Sequence, residues 1–441
     1  MTITNRREPF YLLFVDILCF LIALWLMLLL RTLSVPSISV FYNHLVPFSF
    51  LFAAWIVVFF IAGLYDKHTT FFRSRLPNTI LNAQAINIII AAVFFFFVPN
   101  FGVTPKTSLG IYLIVSSALI LFWRLYVFPY LAIKRQQRAL LIGAGDELEE
   151  LKNEVNGNAR YPFSFIGMID PATVLPVELA RQVRERVQHE GVQVVVLDTA
   201  HKNIAPALPE FSELLFRGVR FIDAGHMYEE VFDREPLSLL EHRWLVENIS
   251  TAPQAAYDFG KRVIDLGISA MLGALSLFVY PFVALAILLD DGGPIFIFQE
   301  RVGQGGELIH IAKFRSMRVN GKEQVTRVGM FLRATRMDEL PQLWSVILGE
   351  QSLIGPRPEL PHYVKLYAEQ IPYYHVRYLI KPGLSGWAQI QNITPPKFEI
   401  QYDATKRKLA YDLYYIKHRS IWLDLKIALK TIKTLLSRSG I

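Results

Sequence analysis

Two adjacent carboxylates, Asp338 and Glu339, are the residues of this chain whose types and spacing most directly suggest chemistry. A short apolar pattern follows them, with Pro341 where a helix would begin and Gly349 where it would end. Proline is tolerated in a first helical turn because the amide groups there lack intrahelical partners. The pattern therefore predicts that both acids lie at a helix N-terminus, which favours negative charge and phosphate. An ordinary capping role for Asp338 is the alternative interpretation.

Basic residues surround this acid pair in the sequence. Arg333, Arg336 and Arg357 lie close to it along the chain. Lys313 and Arg315 are two positions apart on a predicted strand, so their side chains would project from one face. Two cations on one face suit a diphosphate, and an arginine can bind phosphate through two N–H groups. A solvated basic edge strand is the alternative interpretation of the pair.

Five sequence blocks, taken together, resemble the signature of a known family. They are QERVG at residues 299–303, KFRSM at 313–317, RMDELPQ at 336–342, GPRPE at 355–359 and KPGLSGWAQ at 381–389. In this order they look like the bacterial sugar transferases, the monotopic polyprenyl-phosphate glycosyl-1-phosphate transferases. The resemblance covers about residue 259 to the C-terminus, and five ordered blocks are far more specific than one short motif.

The resemblance implies a reaction and a role for each residue. Asp338 would attack the phosphate next to the sugar of a UDP-sugar, releasing UMP and leaving an aspartyl-phosphosugar intermediate. Polyprenyl phosphate would then take the sugar phosphate. Glu339 would hold Mg²⁺, although adjacent carboxylates alone could take these two roles in either order. Arg357, Lys313, Arg315 and Arg336 would bind the substrate phosphates.

Composition indicates a membrane protein. Of the 441 residues, 53% are hydrophobic and the net charge is +7. The mean hydropathy is +0.32, which is high for a soluble protein. A basic balance suits anionic lipid surfaces and anionic substrates. We find no nucleic-acid recognition module, so the sequence predicts no nucleic-acid partner.

Four apolar runs open the chain, at residues 10–30, 46–64, 80–98 and 109–128. Each is close to the ~20 residues that a helix needs to cross a bilayer. The basic residues concentrate before the first run, between the second and third, and after the fourth: Arg6, Arg7, Lys67, Arg73, Arg75, Lys134, Arg135 and Arg138. The other two loops carry only Arg31 and Lys106. We therefore predict a four-helix transmembrane bundle over residues 1–135, with both ends in the cytoplasm.

Three less apolar residues lie within these runs. Asp16 and Asn87 either serve a function or form hydrogen bonds between helices. Cys19 is the only cysteine, so one chain contains no disulfide and no Cys/His zinc site. We expect Cys19 to be a small buried side chain.

A Rossmann-like α/β domain is predicted over residues 136–225. Strand patterns at 138–142, 165–169, 192–197 and 219–222 alternate with helix patterns, as in a parallel sheet. Gly143-Ala144-Gly145 resembles a dinucleotide loop, but Leu148 replaces the third glycine and Asp146 introduces like charge. A structural or regulatory role is therefore favoured over nucleotide binding.

A connector at 226–254 precedes the catalytic domain, residues 255–441. Inside the latter, residues 263–289 form a fifth apolar run that contains Pro281 and has basic flanks on both sides. Proline breaks helices, and basic flanks on both sides place both ends in the cytoplasm. We expect a re-entrant membrane helix broken at Pro281, and a fifth transmembrane helix is the alternative.

Three further expectations concern this domain. Asp265 should pair with Lys261 or Arg262, one turn earlier in the same helix. Trp387 should lie at the membrane interface or stack on a ring. Residues 422–436 should form a basic amphipathic helix on the membrane surface, with packing on the soluble core as the alternative.

The predicted fold is a membrane α-helical bundle, an α/β Rossmann-like domain and an α+β catalytic module with a re-entrant membrane helix. The predicted function is the first membrane step of bacterial glycan assembly, at the cytosolic side of the inner membrane. Two alternatives are a processive glycosyltransferase, which would need a larger nucleotide-binding domain, and a non-catalytic membrane scaffold or regulator. The intact acid pair argues against the second alternative. The sugar, the glycan pathway and homo-oligomerisation stay open.

Overall fold

The computed structural model describes residues 8–66, 76–98, 105–128, 130, 136–158, 161–199, 201–240, 242–249, 254–318, 324–391 and 401–436. The chain divides into two compact units, residues 1–227 and 228–441. Most of the basic residues that orient the predicted bundle lie outside the described residues: Arg6, Arg7, Lys67, Arg73, Arg75, Lys134 and Arg135.

The first unit begins with four apolar helices. They are α1 (Glu8–Thr32), α2 (Ile38–Ile61), α3 (Leu76–Phe97) and α4 (Pro105–Phe122), the last continued by a π-helical turn, Trp123–Val127. All four are long and apolar enough to cross a membrane, as the sequence predicted. Large aromatic side chains fill the centre of the bundle, and Phe20, Trp55 and Tyr112 are almost fully buried there. Cys19 is buried as well, as expected.

Polar residues inside the bundle bind one another. Asp16 on α1 forms a buried ion pair with Arg124, and it accepts a hydrogen bond from Tyr65 Oη at 3.0 Å. Asn87 Nδ2 donates to Gln84 Oε1 at 2.9 Å within α3, and Gln84 Nε2 donates across to Ser116 on α4 at 3.1 Å. Hydrogen bonding between helices is therefore confirmed for Asp16, while the Asn87 side chain bonds within α3 to Gln84, which carries the bond across to α4.

An α/β segment completes the first unit. Its strands are β1 (Gln137–Ile142), β2 (Phe163–Ile169), β3 (Val194–Leu197) and β4 (Arg220–Asp223), and its helices are α5 (Asp146–Asn156), α6 (Pro176–Glu190) and α7 (Leu208–Phe216). The strands form one parallel sheet in the order β2-β1-β3-β4. β3 is buried along its whole length because helices cover both faces of a parallel sheet. The predicted alternation is confirmed, while the Rossmann-like class and nucleotide binding at Gly143-Ala144-Gly145 stay predictions.

The second unit contains the remaining elements. Its helices are α8 (Ala224–Phe232), which begins in the first unit, α9 (His242–Asn248), α10 (Ala255–Leu277), α11 (Tyr280–Asp291), α12 (Arg327–Thr335), α13 (Gln342–Leu348), α14 (Pro361–Gln370), α15 (Trp387–Ile390), α16 (Tyr402–His418) and α17 (Ile421–Leu436). Its strands are β5 (Phe296–Val302), β6 (Leu308–Phe314), β7 (Ser352–Ile354) and β8 (Gly383–Ser385). β5 and β6 form an antiparallel hairpin, and β7 pairs with β8 in parallel.

The fifth apolar run is a bent pair of helices. α10 and α11 meet at an angle of 53°, and Pro281 lies in the first turn of α11. The apolar run is therefore bent close to Pro281, while its re-entrant path stays a prediction. Proline is tolerated at this position because the amide groups of a first turn lack helical partners.

Both limbs of the bent pair contact the same part of the second unit. Near the start of α10, Arg262 donates to the carbonyls of Val346 and Ile347 at 2.7 and 2.9 Å. Near the end of α11, Ile287 packs in one apolar cluster with Phe314 and Leu332. The two ends of the pair are thus held by one module.

The expected partner of Asp265 was wrong. Asp265 accepts hydrogen bonds from Ser352 Oγ at 2.7 Å and from Leu353 N at 3.3 Å. Lys261 instead binds Asp424 of α17 at 2.8 Å. These side chains point away from their own helix because α10 packs against the core at this level, and tertiary partners replace the local one.

The expectation that Trp387 lies at the membrane interface was also wrong. Its side chain is 1% exposed, and its Nε1 donates to the carbonyl of Asp233 at 2.9 Å. Its ring stacks on Tyr414 at 5.9 Å, so the stacking expectation is met by a protein side chain. Asp233 belongs to the predicted connector, whose described residues from 228 onwards lie within the second unit.

The C-terminal helix α17 is amphipathic, as predicted. Leu423 and Ile427 are buried against the core, while Trp422, Leu425 and Ile432 are exposed. Packing on the core is therefore confirmed for one stripe of the helix, and binding of the exposed apolar stripe to the membrane surface stays a prediction.

Candidate active site

The acid pair lies in a tight turn between two helices. α12 begins at the N-cap Thr326, whose hydroxyl accepts from Gly329 N at 2.9 Å. It ends at Arg336, which adopts the left-handed conformation with φ 54°. That conformation is uncommon for a residue with a side chain, and it often marks a functional turn. The chain then forms a 3₁₀ turn, Met337–Glu339, which contains both acids.

The acids were therefore predicted too close to the start of the next helix. α13 begins only at Gln342, and Pro341 is its N-cap residue, so Asp338 and Glu339 precede the helix. Asp338 does not cap it with its side chain. The helix ends at Gly349 with φ 92°, as predicted, because glycine adopts the left-handed region without steric cost.

Glu339 is surrounded by three cationic side chains. Its Oε1 lies 2.6 Å from Arg357 Nη2 and 3.4 Å from Lys313 Nζ, and its Oε2 lies 3.5 Å from Arg336 Nη1. Burial acts to raise the pKa of Glu339, but the cations, Arg357 first among them, hold that pKa far below its usual value. Glu339 is therefore an ionised carboxylate across the physiological range of pH.

Asp338 has a different environment from its neighbour. It is 9% exposed, and it forms no ion pair with any residue that the structure describes. Burial, and after it the negative charge of Glu339, raises the pKa of Asp338 to about 6. The cations nearby oppose this shift without cancelling it. Two adjacent carboxylates with pKa values pushed apart are a common arrangement where acids have separate chemical roles.

Of the predicted phosphate-binding residues, the structure brings Lys313, Arg336 and Arg357 to the acid pair but not Arg315. β6 ends at Phe314, so Arg315 no longer follows the alternation that would place it beside Lys313. Its guanidinium forms an ion pair with Asp291 at 2.6 Å and donates to the carbonyl of Pro294 at 2.7 Å. Arg315 is 4% exposed and holds the turn after α11.

Sequence reasoning missed a buried charged cluster behind the Arg357 loop. Glu359 pairs with Lys408 and lies 3.7 Å from Arg377, which in turn lies 2.8 Å from Asp412. Burial acts to raise the pKa of Glu359, but Lys408 and Arg377 lower it to about 2. Only the position of Glu359 within a sequence block could have suggested this cluster, because its partners are at least 18 residues away.

An apolar cavity of about 580 Å³ opens beside the acid pair. Arg336 and Glu339 line one part of it. Aliphatic side chains from α10, α17 and the β7–β8 region form most of the remaining wall: Ile264, Ile268, Leu272, Leu353, Leu384, Leu425, Ile432 and Leu435. The cavity therefore joins an ionic region to an apolar one, as an amphiphilic ligand requires.

The donor atoms of the acid pair suit Mg²⁺. This ion prefers carboxylate oxygens, and in proteins it is usually held by one or two carboxylates together with substrate phosphates and water. Glu339 is ionised and Asp338 is adjacent to it, so Glu339 is the residue that could hold the metal.

A second group with metal-ligand types lies elsewhere in the unit. Glu229, Glu235 and His418 bring one ligand atom each within 4.8 Å of one another. The ammonium of Lys417, however, lies 2.6 Å from Glu229 and 3.1 Å from Glu235, so this group already contains its cation.

Comparison with known proteins covers this same unit. The family model for "Bacterial sugar transferase" matches residues 256–438. An N-acetylgalactosaminephosphotransferase of Aeromonas hydrophila, named for UDP-N-acetylgalactosamine and undecaprenyl phosphate, is 41% identical over 204 residues, 43% of this chain and 47% of the relative. A UDP-glucose:undecaprenyl-phosphate glucose-1-phosphate transferase of Caulobacter vibrioides is 39% identical over 42% of this chain and 73% of the relative.

A third relative extends the similarity beyond this unit. An undecaprenyl-phosphate glucose phosphotransferase of Komagataeibacter xylinus is 28% identical over 331 residues, 69% of this chain and 60% of the relative. The chain thus spans about half the length of the Aeromonas relative and more of the other two. Because the family model matches and the alignment covers 73% of the Caulobacter protein, the chain belongs to the bacterial sugar transferase family.

Proposed function

We propose that this protein transfers a sugar 1-phosphate from a UDP-sugar to polyprenyl (undecaprenyl) phosphate, releasing UMP and forming a polyprenyl-diphosphate sugar. The observation that carries the proposal is the asymmetry of the acid pair. Glu339 is bound by three cations and Asp338 is buried without an ion pair among the described residues. The names of the relatives supply the substrate classes.

Asp338 acts as the nucleophile in this proposal. A carboxylate oxygen attacks the phosphorus next to the sugar, the bond between the two phosphates breaks, and UMP departs with the bridging oxygen. An oxygen of polyprenyl phosphate then attacks the same phosphorus, and the bond to Asp338 breaks. A pKa of about 6 leaves Asp338 mostly ionised at neutral pH but more basic than an ordinary aspartate.

The cations stabilise the charge of the phosphates. Lys313, Arg336 and Arg357 bind Glu339 in the structure, and together they exceed the charge of the two acids by one. A diphosphate arriving here therefore meets fixed positive charge in a largely buried site, where electrostatic stabilisation is strong. Bound Mg²⁺, held by Glu339, would supply further charge neutralisation at the phosphates.

The apolar cavity is proposed to receive the first isoprenoid units of the acceptor. Its aliphatic walls suit a hydrocarbon chain, and the part lined by Arg336 suits the terminal phosphate. Filling the cavity by Ala428→Trp should raise the KM for polyprenyl phosphate while single-turnover UMP release without acceptor stays within about twofold of wild type. Loss of single-turnover UMP release as well as of transfer to the acceptor would show that the substitution disrupts the fold rather than acceptor binding.

We propose further that α10 and α11 form a re-entrant hairpin and that the catalytic module lies on the cytosolic side of the bacterial inner membrane. The twelve residues of α11 span about 18 Å, less than the ~30 Å of a bilayer core. Exposed apolar side chains such as Phe278 and Phe282 suit lipid, and both limbs rest on one module. A cysteine at the exposed Glu307 should react with an impermeant reagent in inside-out vesicles only. Reaction in spheroplasts would refute this topology.

The experiment that tests the reaction measures UMP release by the full-length protein from a panel of radiolabelled UDP-sugars, with and without polyprenyl phosphate. One sugar should support release, and protein incubated without acceptor should gain the mass of one sugar phosphate. Asp338→Asn should abolish both signals. Undiminished UMP release by Asp338→Asn, or none from any UDP-sugar with wild-type protein, would refute the proposal.

A further inference from the structure

The loop that carries Arg357 is held from outside rather than by its own hydrogen bonds. Pro356 and Pro358 flank Arg357 and have no backbone N–H. The loop carbonyls instead accept from three other segments: Gly383 N to Pro356 O at 2.9 Å, Arg377 Nη2 to Arg357 O at 2.9 Å, and, from β5, Val302 N to Glu359 O at 3.0 Å and Arg301 Nη1 to Pro358 O at 3.5 Å. Two of these donors belong to side chains, and that of Arg377, which forms the shorter bond, binds the carbonyl of Arg357 itself.

Arg377 is fixed by partners that the reaction does not use. Its side chain is 1% exposed. One terminal nitrogen, Nη1, donates to Tyr374 Oη at 2.8 Å and lies 3.7 Å from Glu359. The other, Nη2, lies 2.8 Å from Asp412 and donates to the carbonyl of Arg357. The two nitrogens thus serve different partners, as a planar guanidinium can and a single ammonium cannot.

The cluster is balanced in charge. Lys408 pairs with Glu359, so two cations, Lys408 and Arg377, meet two anions, Glu359 and Asp412. A buried cluster without net charge avoids the cost of an uncompensated ion. Within the described residues, its direct link to the acid pair runs through the Arg357 main chain and then from the Arg357 guanidinium to Glu339 at 2.6 Å.

We propose that Arg377 is a positioning residue for the sugar-phosphate transfer: it fixes the backbone of Arg357 so that the Arg357 guanidinium stands at the acid pair. The proposal rests on the proposed function. Without this anchor the Arg357 carbonyl loses its hydrogen bond from Arg377, and the loop has no amide donors at its prolines to replace it. An arginine that is displaced by about 1 Å stabilises a transferring phosphate far less well.

The test is a double-mutant cycle in the full-length protein. Arg377→Lys keeps the charge but not the two-partner geometry, and we expect it to lower kcat/KM for UMP release about 10- to 100-fold. In the background of Arg357→Lys the same change should cost less than about threefold, because Arg377 acts through Arg357. Tyr374→Phe removes one partner of Arg377 without touching the Arg357 carbonyl, and it should stay within about twofold of wild type.

Multiplicative losses in the cycle would overturn the proposal, since they would show that Arg377 acts independently of Arg357. A wild-type rate in Arg377→Lys would overturn it as well. If Arg377→Lys does not fold, Asp412→Asn takes its place in the same cycle with the same expectation. Asp412→Asn keeps the shape of the side chain but removes the negative charge that lies 2.8 Å from Arg377 Nη2.

Hydrogen exchange gives a second readout that needs no activity. Peptides covering residues 353–360 should exchange faster in Arg377→Lys than in wild type and at the wild-type rate in Tyr374→Phe. Unchanged exchange in Arg377→Lys would refute the positioning role even if the rate falls. Faster exchange in a protein whose wild type releases no UMP would instead refute the proposed function and leave the anchoring intact.

Discussion

The pH dependence of the first half-reaction follows from the environment of Asp338. Its pKa is raised to about 6, so its nucleophilic carboxylate is lost as the pH falls through this value. Going from pH 7 to pH 5 lowers the ionised fraction from about 0.9 to about 0.1, a tenfold loss of rate. An aspartate with an ordinary pKa near 3.8 would lose only about 5% over the same interval.

Arg333 offers a way to move this pH profile without touching the acid pair. Its positive charge lowers the pKa of Asp338, so Arg333→Gln should shift the acid limb upward, by about 0.5 pH unit. Arg327 lies on the same helix and is exposed. Arg327→Gln makes the same change of charge away from the site and should leave the limb in place, since exposed charges are screened.

The assay is single-turnover UMP release between pH 5 and pH 8, at constant ionic strength and without polyprenyl phosphate. The acceptor is left out because a phosphate monoester also titrates near pH 6 and would obscure the limb of Asp338. A limb below pH 5 in wild-type protein would refute the reasoning about burial. Equal shifts in Arg333→Gln and Arg327→Gln would refute the reasoning about local charge.

Three further predictions concern stability, each measured as the thermal midpoint of the full-length protein in detergent. Because the folded-state pKa of Asp338 lies above the usual value, ionisation of Asp338 destabilises the fold as the pH rises from about 4 to about 6. Asp338→Asn should therefore add about 2–3 kcal/mol to the free energy of unfolding at pH 7 and nothing at pH 4. A lower thermal midpoint for this variant at pH 7 would contradict the prediction. A Cβ on Gly383 would lie 2.1 Å from the backbone nitrogen of Gly355, directly after the facing strand β7, so Gly383→Ala should cost more than about 3 kcal/mol. Gly267→Ala, with nothing within 4 Å, should be close to neutral, and equal midpoints would show that the strands can separate. Arg124→Met leaves Asp16 buried without its cation and should cost about 3–5 kcal/mol, most of it recovered when Asp16→Leu is added; additive losses would refute a paired role.

Local patterns predicted most of the elements in this protein. The four apolar runs, the strand that carries Lys313 and the glycine that ends α13 all appear where expected, because helix length, strand period and left-handed glycine depend on neighbouring residues. The same reasoning misplaced the acid pair by one turn. Arg336 adopts a left-handed conformation that no local pattern predicts, and a 3₁₀ turn follows it before the helix begins.

Partners of individual side chains were less predictable. Asp265 was expected to bind its own helix, and Trp387 either to lie at the membrane interface or to stack on a ring, yet both side chains bind distant segments of the second unit. Arg315 was expected beside Lys313, but the strand ends one residue too early. In each case the local sequence pattern was right, but a tertiary contact set the partner of the side chain. Buried polar groups bind whichever partner the packing brings near.

The sequence by itself determined the family resemblance, the apolar segments and the residue types of the acid pair and its cations, since these depend on composition and on the order of short blocks. Only the tertiary structure decided that three cations surround Glu339 while Asp338 is buried and forms no ion pair with a described residue, and that Arg377 binds the main chain of Arg357. The physical reason is that Coulomb attraction and desolvation depend on distance through space and on burial. Residues 18 to 35 positions apart acquire both only when the chain has folded.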